Sequence, residues 1–274
     1  MPGKDSPVRF VSEPDSAPQP SGSRRMSTDL PFLDGTETVT LDVRDARMGL
    51  SGIMPAAWAI SEHLTDLAVE REIAQGGEIS CRKGCDECCR AYFVTCSPPE
   101  AFRILDDVNS LGSSAKQRHL SSLAVAADRY AKSGVAQAAA ARDSDDSNAG
   151  SNIDISAAYW RENKFDCPIL RDGACSLYES RPTACREFLV TSPAELCASY
   201  NPARVPIPFS MEMTLSIWAG RIEQLKPTMI PLVNILAWST NKATRAARTW
   251  RAPQIARTFL EVLTERAETA AERK

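Results

Sequence analysis

The stretch CRKGCDECCR, residues 81–90, places four cysteines within nine positions, in the pattern C-x3-C-x2-C-C. A second group of four cysteines follows much later in the chain. The eight cysteines are Cys81, Cys85, Cys88, Cys89, Cys167, Cys175, Cys185 and Cys197. Groups of thiolates at chelating spacing bind soft or borderline metal ions, chiefly zinc and iron. We therefore predict that the fold is organised around one or two thiolate metal sites that join the two groups.

The composition is that of an ordinary soluble protein. The chain has 274 residues, a formal net charge of −3, and 43% hydrophobic and 24% charged residues. The N-terminal residues contain no apolar stretch typical of a secretory signal. The longest apolar run, residues 229–238, is far too short to span a bilayer, which needs ~20 residues. We predict a cytoplasmic protein with no membrane partner, and because cytoplasmic thiols stay reduced, nine cysteines favour metal binding over disulfides.

The adjacent cysteines, Cys88 and Cys89, are unusual for a single metal site. Neighbouring side chains diverge by ~100° on a helix and point to opposite faces of a strand. Two neighbouring thiolates therefore seldom bind one ion together. The simplest interpretation assigns Cys88 and Cys89 to different centres, or makes one of them a bridge between two centres. The eight cysteines also divide evenly into two four-thiolate sites.

The other candidate residues are assigned by their positions. Cys96 precedes the helix cap Ser97, at the hydrophobic-staple position opposite Ala101, and is predicted to be a packed thiol and not a ligand. His63 and His119 lie in helical stretches without ligand spacing and are not predicted ligands. Five basic residues lie beside the cysteines, and they either offset the charge of bound thiolates or are ordinary solvated residues. They are Arg82, Lys83, Arg90, Arg181 and Arg186.

The patterns along the chain predict a mainly α fold, a helical domain built around an irregular cysteine-rich metal-binding knot with a small β-hairpin. Residues 1–35 are rich in Pro, Ser and Gly and are predicted to be a disordered N-terminal segment. Residues 36–205 are predicted to form the cysteine-cluster metal-binding domain. Residues 206–274 are predicted to form a C-terminal helical extension packed on it. The hairpin follows from the turn signal Asp172-Gly173.

Local signals place the individual elements. Alternation over residues 36–43 predicts a short strand, and residues 55–74 carry an apolar helical stripe. The sequence SPPE, residues 97–100, has the cap, the proline and the glutamate of a capping box, and SPAELC, residues 192–197, repeats this signal. Further helices are predicted over residues 113–142, over residues 154–162 and, in two or three pieces, beyond residue 207.

The cysteine pattern and its surroundings resemble a known family. CRKGCDECC (81–89), CPIL (167–170), GACSLYESRPTAC (173–185) and SPAELC (192–197) are similar to the zinc- or iron-chelating domain family known by its CxxCxxCC signature. The eight cysteines match that family's eight in order. The most specific part is Y-x-x-R-P-x-x-C-R, which begins at Tyr178. The first group, C-x3-C-x2-C-C, is spaced slightly wider than the family's signature.

The resemblance implies metal chelation by the eight cysteines, with zinc or iron, including a 4Fe-4S cluster, as the cofactor. The family has no single established activity, but one relative is the flagellin lysine N-methylase. The resemblance therefore also implies an alternative, protein lysine N-methyl transfer, with S-adenosylmethionine as cofactor and a protein as substrate. A metal-handling or interaction protein is a third class. The sequence does not decide whether the chain is an enzyme, and it assigns no catalytic residue.

Two further functions are disfavoured. C-x3-C-x2-C is also the spacing of radical S-adenosylmethionine enzymes. Those enzymes resemble an α/β barrel with an aromatic residue before the third cysteine, where Glu87 stands here. Near the C-terminus, Arg245, Arg248 and Arg251 interleave with Trp250, a pattern more typical of a solvated helix face than of a nucleic-acid surface. We do not predict a nucleic-acid partner.

Overall fold

The structure, a computed structural model, describes residues 6–12, 17–135, 166–199, 201–240 and 242–273. The strands are β1 (Val8–Val11), β2 (Ser23–Phe32), β3 (Gly35–Arg44), β4 (Arg47–Met48), β5 (Thr95–Cys96), β6 (Leu170–Arg171), β7 (Ala174–Cys175), β8 (Ile230–Pro231) and β9 (Trp250–Arg251). The α-helices are α1 (Met54–Ala74), α2 (Glu87–Ala91), α3 (Pro98–Ser110), α4 (Ser113–Lys132), α5 (Thr183–Glu187), α6 (Met211–Glu223), α7 (Ile235–Ser239), α8 (Ala243–Ala246) and α9 (Ala252–Ala271). Short 3₁₀ helices cover Leu50–Ile53, Tyr178–Ser180, Ala194–Ser199 and Leu232–Asn234.

The fold class predicted from the sequence, a mainly α domain around a cysteine knot with one small hairpin, is wrong. About 53% of the described residues are helical and about 16% are in strands. The strands form one three-stranded antiparallel sheet, in the order β1-β3-β2, and three two-stranded pairs, β4-β9, β5-β8 and β6-β7. The fold is therefore mixed, with helices packed on small antiparallel sheets.

Strands β1 and β2 lie within residues 1–35, which the sequence assigns to a disordered segment. Strand β2 pairs along its whole length with β3, from Ser23 opposite Arg44 to Phe32 opposite Gly35. Leu30 and Phe32 are buried, and they belong to the same core as the buried Leu41. Strand propensity depends on such cross-strand and core partners more than on local composition. The composition of the segment therefore misled the prediction.

The main core joins the N-terminal sheet to helices α1, α6 and α9. Trp218 of α6 and Phe259 of α9 are fully buried, with ring centroids 6.0 Å apart in an edge-to-face arrangement. The indole nitrogen of Trp218 donates to the carbonyl oxygen of Ile255 at 3.2 Å, so its one polar atom is satisfied. This core therefore takes residues from both ends of the chain, from strand β1 to helix α9.

A second core lies on the cysteine side of the molecule. It contains the buried faces of α3 and α4, the β6-β7 hairpin, strand β8 and the chain just after it. Cys96, Cys167 and Leu177 are among its buried members. The cysteine-rich segments are therefore held against regular helices and do not form a separate knot.

Several local predictions are confirmed. Strand β3, helix α1 and the β6-β7 hairpin occur where the sequence places them. At the start of α3, Ser97 and Glu100 form the expected capping box. The second signal, SPAELC, opens only a 3₁₀ helix, and the Ser192 hydroxyl accepts a hydrogen bond from the Ala203 amide at 3.1 Å. The predicted helix over residues 154–162 lies outside the described residues.

None of the described helices combines the length and the apolar character that crossing a membrane needs.

Candidate metal centre

One cavity of about 830 Å³ brings both cysteine groups together. Seven cysteines form part of its wall, namely Cys81, Cys85, Cys88, Cys89, Cys167, Cys175 and Cys185. The eighth, Cys197, is buried in the 3₁₀ helix Ala194–Ser199, which packs against α2. The tertiary structure thus gathers all eight sequence-predicted ligands into one region.

The first cysteine group enters this region through a turn and a short helix. The Cys85 amide donates to the carbonyl oxygen of Arg82 at 3.0 Å, and Gly84 between them has φ +91°. That backbone conformation favours glycine, because a side chain there would be strained. Helix α2 follows and carries the adjacent pair Cys88 and Cys89.

The second group is carried by the hairpin and by helix α5. Asp172 and Gly173 at the hairpin turn have φ +48° and +73°, as expected when both central residues of a tight turn are left-handed. Strand β7 then places Cys175 in the cavity wall. Helix α5, which carries Cys185, begins directly after Pro182, whose fixed φ suits the start of a helix.

Backbone hydrogen bonds join the two groups directly. The Cys167 amide donates to the carbonyl oxygen of Cys89 at 2.9 Å. The Val190 amide donates to Sγ of Cys81 at 3.3 Å, while the Val190 carbonyl oxygen accepts from the Ser80 amide at 2.9 Å. Amide hydrogen bonds to sulfur stabilise negative charge on a thiolate, a common feature of thiolate metal sites.

Helix α5 is also fixed by a buried carboxylate, Glu100. One oxygen of Glu100 accepts from the amide and hydroxyl of Thr183 at 2.6 and 2.8 Å. The other oxygen accepts from the amide and hydroxyl of Ser97, both at 2.7 Å. The capping glutamate of α3 thus also accepts hydrogen bonds from the first turn of α5, the helix that carries Cys185.

The thiols influence one another electrostatically, with Cys88 at the centre. Burial raises the pKa of Cys167 to about 12 and that of Cys197 to about 11. Ionisation of Cys88 would raise the pKa of five other cysteines, Cys81, Cys167, Cys175, Cys185 and Cys197. A hydrogen bond with the Cys89 thiol, and then burial, raises the pKa of Cys88 itself.

The sequence allows two roles for the five basic residues near the cysteines, offsetting thiolate charge or lying in solvent. The structure places some of them in each position. Arg82, Lys83 and Arg181 lie in the cavity wall, where positive charge is available to thiolates. Arg90 is half exposed and forms ion pairs with Asp86 at 2.6 Å and Asp166 at 2.7 Å. The fifth residue, Arg186, also lies in the wall, and it is described separately because its head group is buried.

Arg186 attaches the second cysteine group to helix α1. Its side chain is only 4% exposed, and its guanidinium lies 4.9 Å from the ring centroid of Trp58 and forms an ion pair with Glu62. It also donates to the carbonyl oxygens of Glu179 and Arg181, at 2.5 and 3.2 Å. These contacts indicate a structural role for Arg186 in positioning α5.

The donor chemistry of the site matches a thiolate-binding metal, but its sulfur atoms are not gathered into a chelate. Within the described residues, which include all nine cysteines, no group of three or more His, Cys, Asp or Glu side chains is arranged to hold a metal ion. Eight thiols in and beside one cavity wall are nevertheless the donors that zinc and iron–sulfur clusters use. The residues therefore have the donor atoms that such a metal group needs, and they lie around one cavity.

Cys96 and the two histidines stand outside this arrangement. Cys96 is fully buried in β5, and its Sγ donates to the carbonyl oxygen of Ile230 at 3.4 Å, so it is packed as predicted. His63 contacts Glu37 at 2.6 Å. Burial lowers the pKa of His119. Neither histidine belongs to the wall of the cysteine cavity.

Sequence reasoning missed two carboxylates, the partly buried Glu187 and the buried Glu212, which line the same cavity as the thiols. Burial raises the pKa of Glu187 to about 7 and that of Glu212 to about 8. Glu187 directly follows Arg186, within two residues of Cys185, and that spacing was the available signal. For Glu212, at the start of α6, the sequence offers no such signal.

The C-terminal arginines, considered above for nucleic acid, make contacts within the chain. Arg245 pairs with the buried Glu223 at 2.9 Å, and Arg251 pairs with Asp45 at 2.8 Å. Arg248 lies over the ring of Trp250, 5.1 Å from its centroid. Their charge is therefore at least partly used in joining α6, α8 and β9 to the rest of the molecule.

Comparison with known proteins adds no further constraint. No family model, no curated protein and no solved structure matches the chain. The likeness to the CxxCxxCC family consequently rests on the cysteine pattern and its neighbouring residues alone.

Proposed function

We propose that the chain is a metal-binding protein that holds zinc or an iron–sulfur cluster through its two cysteine groups. The observation that carries the proposal is the shared cavity wall, to which both groups contribute although they lie far apart in the sequence. A four-thiolate zinc site is closed and structural, whereas an iron–sulfur cluster transfers electrons. The chain's own residues suit either a zinc ion or an iron–sulfur cluster, because they present thiols, amide donors and basic side chains.

Metal binding in this arrangement would also be a folding device. The two groups are joined in the polypeptide by the Cys167–Cys89 backbone hydrogen bond, which leaves their thiols near one another but not in a chelate. A bound metal would then be held by thiols of both groups. The free energy of metal binding at such a site stabilises the surrounding fold.

A reducing compartment, the cytoplasm, suits this function, because thiolate ligands there are not lost to disulfides. All nine cysteines are free thiols in the structure. The methyl-transfer alternative stays a prediction from the resemblance, since no contact among the described residues favours it over metal binding alone.

The test is the metal content and colour of protein purified without oxygen. We expect one or more ions of zinc or iron per chain by elemental analysis. Absorption near 400 nm would assign iron–sulfur, and a colourless zinc protein would assign the structural role. The matched control is Cys96→Ser, which alters a cysteine outside the cavity wall and should keep the full metal content. A metal-free protein whose helicity and melting temperature are unchanged by added zinc or iron would overturn the proposal.

A further inference from the structure

Three carboxylates, Glu100, Glu187 and Glu212, lie close enough to interact, beside the thiols. Each belongs to a different helix, α3, α5 or α6. Glu100 and Glu212 are at most 5% exposed, and Glu187 is only partly buried. The charge of Glu100 contributes to the raised pKa of both Glu187 and Glu212. Among the described residues, no salt bridge joins any of the three to a basic side chain. Basic side chains line the same cavity, and the charge of Arg204 acts on Glu187, so the cavity as a whole is not negative.

Two of the three carboxylates have their hydrogen bonds satisfied inside the protein. Glu100 accepts the four hydrogen bonds from Ser97 and Thr183 already described. Glu187 accepts from the Ser61 hydroxyl at 2.9 Å and from the Met211 amide at 3.1 Å. Both groups consequently act as fixed acceptors that orient helices.

The third carboxylate, Glu212, differs because one of its oxygens has no partner. A hydrogen bond with the Thr95 side chain involves the carboxylate, but Oε1 is buried without a hydrogen-bond partner among the described residues. The residue is 5% exposed and forms part of the cavity wall. An ionised Oε1 lacks a donor, and a protonated Oε1 lacks an acceptor. A buried polar atom in either state costs free energy until a ligand or water satisfies it.

The surroundings of Glu212 favour a cationic donor over a hard metal ion. A magnesium or calcium ion needs about six oxygen ligands, whereas the wall offers two carboxylates, and the oxygens of Glu187 already accept other hydrogen bonds. Aromatic side chains also line the same cavity, namely Tyr92, Phe93, Phe188 and Phe209. The guanidinium of Arg204 already lies over the ring of Phe188, 4.4 Å from its centroid, so this wall holds a cation against an aromatic face.

We propose that the carboxylate end of the cavity is a binding subsite for an organic ammonium group, which donates a hydrogen bond to Oε1 of Glu212. Phe209 and Thr95 flank this subsite in the cavity wall. The subsite uses none of the thiols, so it stands independently of the metal proposal.

The test is a titration with n-butylammonium chloride, followed by calorimetry, with neutral n-butanol as the matched probe. Wild-type protein should bind butylammonium with a dissociation constant on the order of 1–10 mM, as a ligand of five heavy atoms allows. The titration is carried out at about pH 9, above the pKa of about 8 that burial gives Glu212, so that the carboxylate is ionised. Glu212→Gln then preserves the shape and removes the charge, and it should weaken binding at least about tenfold. Glu195→Gln, which removes an exposed glutamate from the 3₁₀ helix Ala194–Ser199, is the control and should bind as wild type does.

Two results would overturn the subsite. One is equal binding of butylammonium to wild type and Glu212→Gln, and the other is binding of butanol to wild type as tight as that of butylammonium. If Glu212→Gln does not fold, the wild-type protein provides the test instead. The changes in amide chemical shift that butylammonium causes must then centre on Thr95, Phe209 and Glu212. Shifts centred elsewhere would count against the subsite. Metal content is measured on every sample, so a metal-free chain that binds butylammonium overturns only the metal proposal.

Discussion

The amide of Cys167 donates a hydrogen bond of 2.9 Å to the carbonyl oxygen of Cys89. This bond connects the first residue of the second cysteine group to the last residue of the first group. It holds the hairpin against helix α2 without involving any thiol, so all eight thiols remain available as ligands. The polypeptide therefore brings the two groups together, and a metal ion would have only to complete the site.

We expect the adjacent cysteines to serve different centres. Cys88→Ser and Cys89→Ser should each remove part of the bound metal, because a serine hydroxyl does not ionise near neutral pH as a metal-bound thiol does. With two zinc sites, each single variant keeps about one ion and the double variant loses nearly all. Elemental analysis of the three proteins provides the measurement. Full metal retention in either single variant would show that the pair is not split between two centres.

Cys96 and Cys185 should behave as opposites. Cys96→Ala should keep its metal and lower the free energy of unfolding by about 1 kcal/mol, since a small buried group is removed from β5. Cys185→Ala should lose metal and destabilise the fold, because its thiol lies in the cavity wall. Metal analysis and chemical denaturation of both variants compare them directly. Equal metal loss in the two proteins would contradict the ligand assignment.

Glu100 should contribute to stability through the two helices that it joins. Glu100→Ala removes the acceptor for four buried donors on Ser97 and Thr183. We expect the free energy of unfolding to fall by at least about 3 kcal/mol, because buried donors are left unsatisfied. Urea denaturation measures this loss, and the exposed Glu195→Ala should change stability by less than about 0.5 kcal/mol. Similar values for the two variants would show that Glu100 does not fix α5.

Glu212 should make stability depend on pH. Its pKa is about 8 in the folded protein, raised by burial and by the charge of Glu100, against an ordinary value of 4.5. Between these pH values the folded state holds a proton that the unfolded chain has lost. The free energy of unfolding therefore falls as pH rises from 4.5 to about 8, by at most about 1.4 kcal/mol per pH unit.

The measurement for this prediction is the difference in unfolding free energy between wild type and Glu212→Gln across that pH range. Glu187, whose pKa burial raises to about 7, titrates in both proteins and largely cancels in the difference. Glu212→Gln should gain stability relative to wild type as pH rises. A difference that does not vary with pH would show that Glu212 is not protonated in the folded protein at neutral pH.

Short-range patterns in the sequence were sufficient for much of the local structure. The capping box of α3, the left-handed turn at Asp172-Gly173 and the helix Met54–Ala74 depend on residues only a few positions apart. Such elements are predictable because their stabilising contacts are local. The spacing of the cysteines also names eight candidate ligands, and their role as ligands stays a prediction.

Contacts between distant parts of the chain decided the rest. The N-terminal strands exist because β2 finds β3 as a partner and buries Leu30 and Phe32 in a core shared with α9, and no composition rule contains that information. In the same way, Glu212 becomes a candidate ligand only because α6 buries it beside Thr95 with one oxygen unpartnered. The sequence specified which groups have metal-binding chemistry. Burial, which sets the cost of an unpaired charge or polar atom, is a property of the folded chain.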